Sequence, residues 1–438
     1  MITAPGCRVT SSLTVCAASI VAAGSLETTA GRAAAPATRI AAQGFRDDAI
    51  ETLKPASLSR DGRLIAFVAR SQSRTGVHVL DRTTGVITPE SIRSDGIPSD
   101  GDSRAPSLSA DGRVIAFETF ARDLTARDPR FRPGHVVIRD RQTGTVRTPY
   151  GTRGQQADGE SWQPVVSGDG NAVAFRSDAT DLVPQPDAGD GRSEIYLWRV
   201  DESIVVVSGD RHFPRSSRGS SHSPSVDHDG GKVAFVSTAR LAPGDTNDRM
   251  DVYLRDLSRR QTVLVSRGRD GTSSAGGSHS PALSADGRYV AFVSDAALAR
   301  GDGNGESDVY IYDTTRESIE LVSTTSAGVS ANAASRRPSI SADGQLVVYQ
   351  SLASNLGSRT GCPRTVSDWN LLPDVYAFDR VSGCVTRISG SLGQEWWTAS
   401  VAPAINGAGT LIVFSSAQWV DETDLSTDFD LFLSLLTR

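Results

Sequence analysis

Three observations predict an all-β fold, a seven-bladed β-propeller of four-stranded antiparallel blades. A hairpin unit recurs along the whole chain, each unit carries the strand pattern of one blade, and the two chain ends complement each other. The clearest unit is Pro281-Ala-Leu-Ser-Ala-Asp-Gly-Arg-Tyr-Val-Ala-Phe-Val-Ser294. It reads as a short strand, an Asp-Gly turn and a second apolar strand. Glycine takes positive φ there without steric cost, and aspartate bonds its own backbone. Further copies centre on Asp61-Gly62, Asp111-Gly112, Asp169-Gly170, Asp229-Gly230 and Asp343-Gly344, with a degenerate seventh at Ala408-Gly409.

Each hairpin is followed by a third strand, such as Asp251-Val-Tyr-Leu-Arg-Asp256, Asp308-Val-Tyr-Ile-Tyr-Asp313 or Asp374-Val-Tyr-Ala-Phe-Asp379, and then by a short fourth. These runs alternate and are rich in Val, Ile, Tyr and Phe, as half-buried strands are. The seventh unit has its third strand at 430–435 and no fourth. Thr38-Arg39-Ile40, ahead of the first hairpin, matches Thr386-Arg387-Ile388 in the fourth strand of the sixth unit. An N-terminal strand is therefore expected to complete the last blade and pair its open edge.

The domain division that follows is a leader over 1–35 and a single propeller over 36–438. The leader has Arg8, an apolar run over 13–23 and small-residue sites such as Ala22-Ala23-Gly24, the pattern of a secretory signal peptide. The expected location is periplasmic, cell-envelope or extracellular, with no transmembrane span and a monomeric state. Losing the leader would remove Cys7 and Cys16 and leave Cys362 and Cys384, an even pair in one unit that suggests a disulfide; two separate thiols is the other reading. A net charge of −6 without a long basic run gives no nucleic-acid footprint.

The units resemble the WD40-like (PD40) repeats of TolB-type propellers, whose consensus is Pro-x-hydrophobic-Ser-x-Asp-Gly-x-x-Ile-Ala-Phe-x-Ser. Residues 281–294 meet it nearly throughout, and 106–117 and 338–349 meet it well. The resemblance implies a propeller that binds an envelope or extracellular protein; the separate N-terminal domain of TolB has no counterpart. A propeller hosts many unrelated activities, so function has to be sought in sites.

Two sets of residues are expected on the top face, opposite the Asp-Gly turns. The first precedes the innermost strands, where Ser-x-x-Pro recurs with Ser103, Ser161, Ser221, Ser278 and Ser335, and Ser400 opens the same pattern in the seventh unit. The serines suit backbone satisfaction at strand starts. The residues beside them, Lys54, Arg104, Trp162, His222, His279 and Arg336, form a collar at the channel mouth. It reads either as solvated rim or as a receptor for an acidic peptide, a protein's acidic segment or an acidic carbohydrate, strengthened by imidazole protonation below about pH 6.5.

The second set is acidic: Asp245, Asn247 and Asp251, then Asp302, Asn304, Glu306 and Asp308. Oxygen ligands at short spacing suit Ca²⁺, though no complete EF-hand loop is present, and turn-forming Asp and Asn is the plainer reading. Asp187, Asp190 and Glu194, and Asp421, Asp424, Asp428 and Asp430, are looser versions. No nucleophile elbow, His-Glu-x-x-His, Walker loop or Cys-x-x-Cys occurs. A non-catalytic binding propeller is therefore expected, with a carbohydrate-active hydrolase or lyase as the alternative.

Overall fold

The computed structural model describes residues 33–35, 37–39, 55–71, 74–124, 134–184, 192–209, 219–357, 362, 368–390, 396–417 and 430–437. They form seven antiparallel sheets, one per repeat. Six have four consecutive strands, spanning 57–89, 103–147, 161–206, 221–264, 278–321 and 335–387; we number these blades 1 to 6. Blade 7 has Ser400–Ile405, Leu411–Ser416 and Asp430–Thr437.

The outer edge of blade 7 is taken by the N-terminal segment. Thr38 and Arg39 pair with Leu433 and Phe432, and Ala33 and Ala34 pair with Thr437 and Leu436. The Ala35 amide adds a bond to the Leu435 carbonyl at 2.8 Å. The closing strand thus starts upstream of the expected boundary at residue 36, with Ala33–Ala34 inside the stretch assigned to the leader.

Strand alternation explains how blades stack. In the second strand of blade 5, Val290 and Phe292 face blade 4, while Tyr289, Ala291 and Val293 face blade 6. Both faces are buried, so the strand is apolar throughout. Second- and third-strand aromatics pair across the sheets of blades 3 to 6: Phe175 with Tyr196, Phe235 with Tyr253, Phe292 with Tyr310, and Tyr349 with Tyr376, at centroid separations of 5.8 to 6.0 Å.

The hairpin turns lace the bottom of the ring. Arg60 N donates to Ala110 O, Ala110 to Gly168, Asp169 to His228, His228 to Ala285, Ala285 to Ala342, and Ala342 to Gly407. Ala408 N then donates to Arg60 O at 2.9 Å and closes the circuit. Gly344 shows why the turn needs glycine: its φ is +67°, and a Cβ would sit 2.2 Å from Tyr289 Cδ2. Cys362 and Cys384 are joined by a disulfide in blade 6, with Cα atoms 5.6 Å apart.

The blade 4 turn departs from those of blades 1, 2, 3, 5 and 6. Blades 1, 2, 3, 5 and 6 place a serine two residues before the turn aspartate, and its hydroxyl bonds that carboxylate at 2.5 to 2.6 Å. Blade 4 has Asp227 there. Burial, with repulsion from Asp229, pushes its carboxyl up to about 6 against the lowering effect of the Lys232 amide. The folded protein then binds this proton more tightly than the unfolded chain, so this group's contribution to stability rises as pH falls from about 6 to about 4. Asp227→Ser should raise stability at pH 8 by about 1 to 2 kcal/mol, allowing for solvent screening, and should flatten that slope. Urea unfolding at pH 8 and pH 5 checks both effects.

Candidate functional site

Innermost strands of successive blades touch around the channel. In blades 2 to 7 each carries the same irregularity: a register shift two residues into the strand, where Ala105, Gln163, Ser223, Ser280, Arg337 and Ala402 adopt φ of 51° to 55°. A left-handed non-glycine residue at a bulge re-aims its neighbours and costs energy. The preceding serines hold the strand ends: Ser103 bonds Thr119, Ser161 bonds Ser177, and Ser221, Ser278, Ser335 and Ser400 bond the matching serines of the second strands, at 2.9 to 3.2 Å. Their role is structural.

The structure brings part of the expected collar together. Lys54 lies outside the described residues. Arg104 is not a free cation: its Nε donates to Glu118 at 2.6 Å, and its guanidinium lies over Phe120. Trp162 lies under Arg176, 4.8 Å from ring centroid to guanidinium. His222 feels the charges of Arg176 and His279, and His279 those of Asp295 and Arg336. Blades 3 to 6 therefore present Arg176, His222, His279 and Arg336 in succession, each within electrostatic reach of the next.

Sequence reasoning missed Arg176 and Glu118, which stand on second strands opposite Trp162 and Arg104. Register through a bulge is the information that identifies them. The pH expectation for the imidazoles also needs correcting. Burial lowers His222 first, with Arg176 and His279 adding to it; burial lowers His279, which Asp295 raises and Arg336 lowers. Protonation of both therefore moves to more acid conditions than for a free imidazole.

Three of the bulge amides bond a side chain of the preceding blade. Gln163 N donates to Glu118 Oε1 at 2.9 Å, Ser223 N to Gln163 Oε1 at 2.8 Å and Ala402 N to Gln350 Oε1 at 3.1 Å. Among the described residues, blade 4 offers the Ser280 amide no such side chain. The position matching Glu118 and Gln350 is Val236, and Ser223, matching Gln163, is short and bonded to His222 Nδ1.

The acidic residues form a different arrangement. In blade 4 the Tyr253 hydroxyl meets Asp245 Oδ2, Asn247 N donates to Asp245 Oδ1, and Ser266 donates to Asp251 Oδ1 at 2.6 Å. Blade 5 repeats this with Tyr310 on Asp302 and Ser323 on Asp308, whose Oδ2 accepts from Asn304 Nδ2 at 2.8 Å. Glu306 N donates to Asn304 Oδ1. Burial, above other causes, pushes Asp251 and Asp308 up to about 6. A third copy, Asp368, Asn370 and Asp374, was not recognised from sequence because Trp369, Leu371, Leu372 and Pro373 disguise the spacing. Glu194 accepts from Ser208, whereas Asp187, Asp190, Asp421, Asp424 and Asp428 lie outside the described residues. Asp430 opens the last strand and is buried. No group of three His, Cys, Asp or Glu gathers as a metal set among the described residues.

Two grooves, of about 700 and 500 Å³, lie away from the mouth. The larger follows the outer edges of blades 4 to 6 beside Arg267, Arg300 and Glu317; the smaller adjoins Glu90, already bonded by Arg141 at 2.6 Å. On the top face Trp369 and Trp397 are each 77% exposed. No helix among the described residues is long and apolar enough to cross a membrane.

No family model and no curated protein sequence matches the chain. Solved structures do. An oligogalacturonate lyase in complex with manganese is 14% identical with a TM-score of 0.54, covering 94% of this chain and 98% of its own. The β-propeller domain of the Trilobed protease from Pyrococcus furiosus is 11% identical with a TM-score of 0.50, covering 88% and 94%. A putative TolB from Agrobacterium tumefaciens is 14% identical with a TM-score of 0.40, covering 81% and 95%. At these identities the likeness is one of fold, and that fold is the β-propeller, here with seven blades.

Proposed function

We propose that this chain is an exported, non-catalytic β-propeller that binds a carboxylate-bearing ligand at the channel mouth, on the side formed by blades 3 to 6. The observation that carries this reading is the succession Arg176, His222, His279 and Arg336 on four consecutive blades. The Ser280 amide follows His279 directly, and blade 4 has no side-chain acceptor in the positions that serve the Gln163, Ser223 and Ala402 amides. A carboxylate would accept from guanidinium, imidazole N–H and amide together, as anions do in preorganised donor clusters. Trp162, on the same rim, holds the Arg176 guanidinium over its ring and so orients it. The ligand classes that fit are an acidic peptide segment and a uronic-acid-like sugar. Export rests on the leader composition, and a disulfide suits an oxidising compartment.

The second reading, a carbohydrate-active hydrolase or lyase, takes its substrate class from the oligogalacturonate lyase that shares the fold. One experiment separates the two. Calorimetric titration with an oligogalacturonate and with an acidic peptide should give saturable binding of one of them, with the sugar recovered unchanged by mass spectrometry. Each charge-assisted contact contributes about 1.5 to 3 kcal/mol, so Arg336→Ala should weaken binding about 10-fold or more. Arg336 is exposed and reaches Ser307 only at a long 3.5 Å, so the variant should keep the fold. Cleavage of the sugar would establish the enzyme reading; full binding by folded Arg336→Ala would remove the mouth from the account.

A further inference from the structure

Blades 4, 5 and 6 build the same motif from Asp-x-Asn-x-x-x-Asp, and they treat its charge differently. In blade 6 the second aspartate, Asp374, is fully buried, and its Oδ2 accepts from Arg387 while Ser389 bonds its Oδ1 at 2.6 Å. Arg387 reaches it from the fourth strand, opposite Tyr376. In blade 4 the residue opposite Tyr253 is Leu264, so no guanidinium arrives from that position.

What remains in blade 4 is a cluster with too few donors. Asp251 is 0% exposed; its Oδ1 is bonded by Ser266, and its Oδ2 makes no hydrogen bond of normal geometry among the described residues, the nearby Asn247 amide donating to the Ser274 carbonyl at 2.9 Å. Asp245 is close enough for its charge to act on Asp251. The single Tyr253 hydroxyl proton faces two acceptors, Asp245 Oδ2 and the Ala239 carbonyl, and can serve one. A buried carboxylate oxygen without a partner carries a large desolvation cost, which a cation would offset.

We propose that blade 4 binds a Ca²⁺ ion between Asp245 and the free Oδ2 of Asp251, in the place that Arg387 fills for blade 6. Both donors are carboxylate oxygens, as a hard cation requires, and the remaining coordination is completed by carbonyl oxygens and water. Asp245 is only half-buried, which leaves a path from solvent. With two carboxylates, the affinity belongs to the weak class of extracellular modules, about 0.1 to 1 mM. The site is separate from the mouth, and its failure would leave the carboxylate-binding reading untouched.

The test uses Tb³⁺ as a Ca²⁺ probe on the full chain, with luminescence sensitised by nearby tyrosine. The signal should appear on titration and be displaced by Ca²⁺ in the millimolar range. Asp251→Asn keeps the Ser266 bond and removes the charge, and should weaken binding at least 10-fold. Asp245→Asn, at the half-buried carboxylate, should weaken it likewise while circular dichroism stays unchanged. Asp308→Asn, in blade 5, should keep it. A signal that Ca²⁺ cannot displace, one retained by Asp251→Asn, or one removed by Asp308→Asn would overturn the proposal. If Asp251→Asn fails to fold, the wild-type competition and Asp245→Asn still decide it.

Discussion

Removing residues 33–39 should destabilise the protein by on the order of 5 kcal/mol, at about 1 kcal/mol for each ladder hydrogen bond together with lost apolar packing. The segment runs antiparallel to the last strand from Thr437 to Phe432, and Ser434 adds a hydroxyl bond to the Ala35 carbonyl at 2.8 Å. Ala34 and Ala37 pack on the cluster of Trp396, Phe414, Phe432 and Leu436 that joins blade 6 to blade 7. Deletion bares the edge of 430–437 as well as that cluster, so aggregation should accompany the loss. Urea unfolding and sedimentation of the truncated chain check this. An unchanged midpoint would mean that the ring is held by the turn circuit at the bottom and does not need its mixed blade.

Arg387→Leu should cost about 3 kcal/mol or more at pH 8, because it leaves a buried carboxylate without its ion pair. Arg387 and Asp374 are 3% and 0% exposed at their side chains. Burial already outweighs the attraction of Arg387 and pushes Asp374 up to about 6. Without the guanidinium that pKa rises further, and the folded state favours the protonated form. The loss should therefore shrink as pH falls towards 5, where a neutral carboxyl no longer requires a cation. Urea midpoints of the variant and wild type at both pH values measure it; a loss independent of pH would mean that packing, and not charge, is the Arg387 contribution.

The blades were legible because period and turn chemistry agree at every repeat: Asp-Gly demands the positive φ that the structure shows at Gly62, Gly112, Gly170, Gly230, Gly287 and Gly344. The closing strand was legible at Thr38-Arg39, while Ala33–Ala34 was not, since two alanines in an Ala-rich leader carry no strand signal. The mouth was half legible. His222, His279 and Arg336 follow from the Ser-x-x-Pro positions, but the bulge decides which second-strand residue each meets. Glu118, which neutralises Arg104, and Arg176, which covers Trp162, therefore stayed hidden. The Asp374–Arg387 pair depends on cross-strand register over 13 residues, which residue types alone do not reveal.

The most direct test of the mouth as the binding site is imidazole NMR of the ¹⁵N-histidine-labelled chain during titration with the carboxylate ligand. His222 and His279 lie on consecutive blades at the top, whereas His228 lies in the turn circuit at the bottom. The account predicts saturable shifts of the His222 and His279 ring resonances with His228 unmoved. Shifts confined to His228, or binding that leaves both upper imidazoles unchanged, would contradict it.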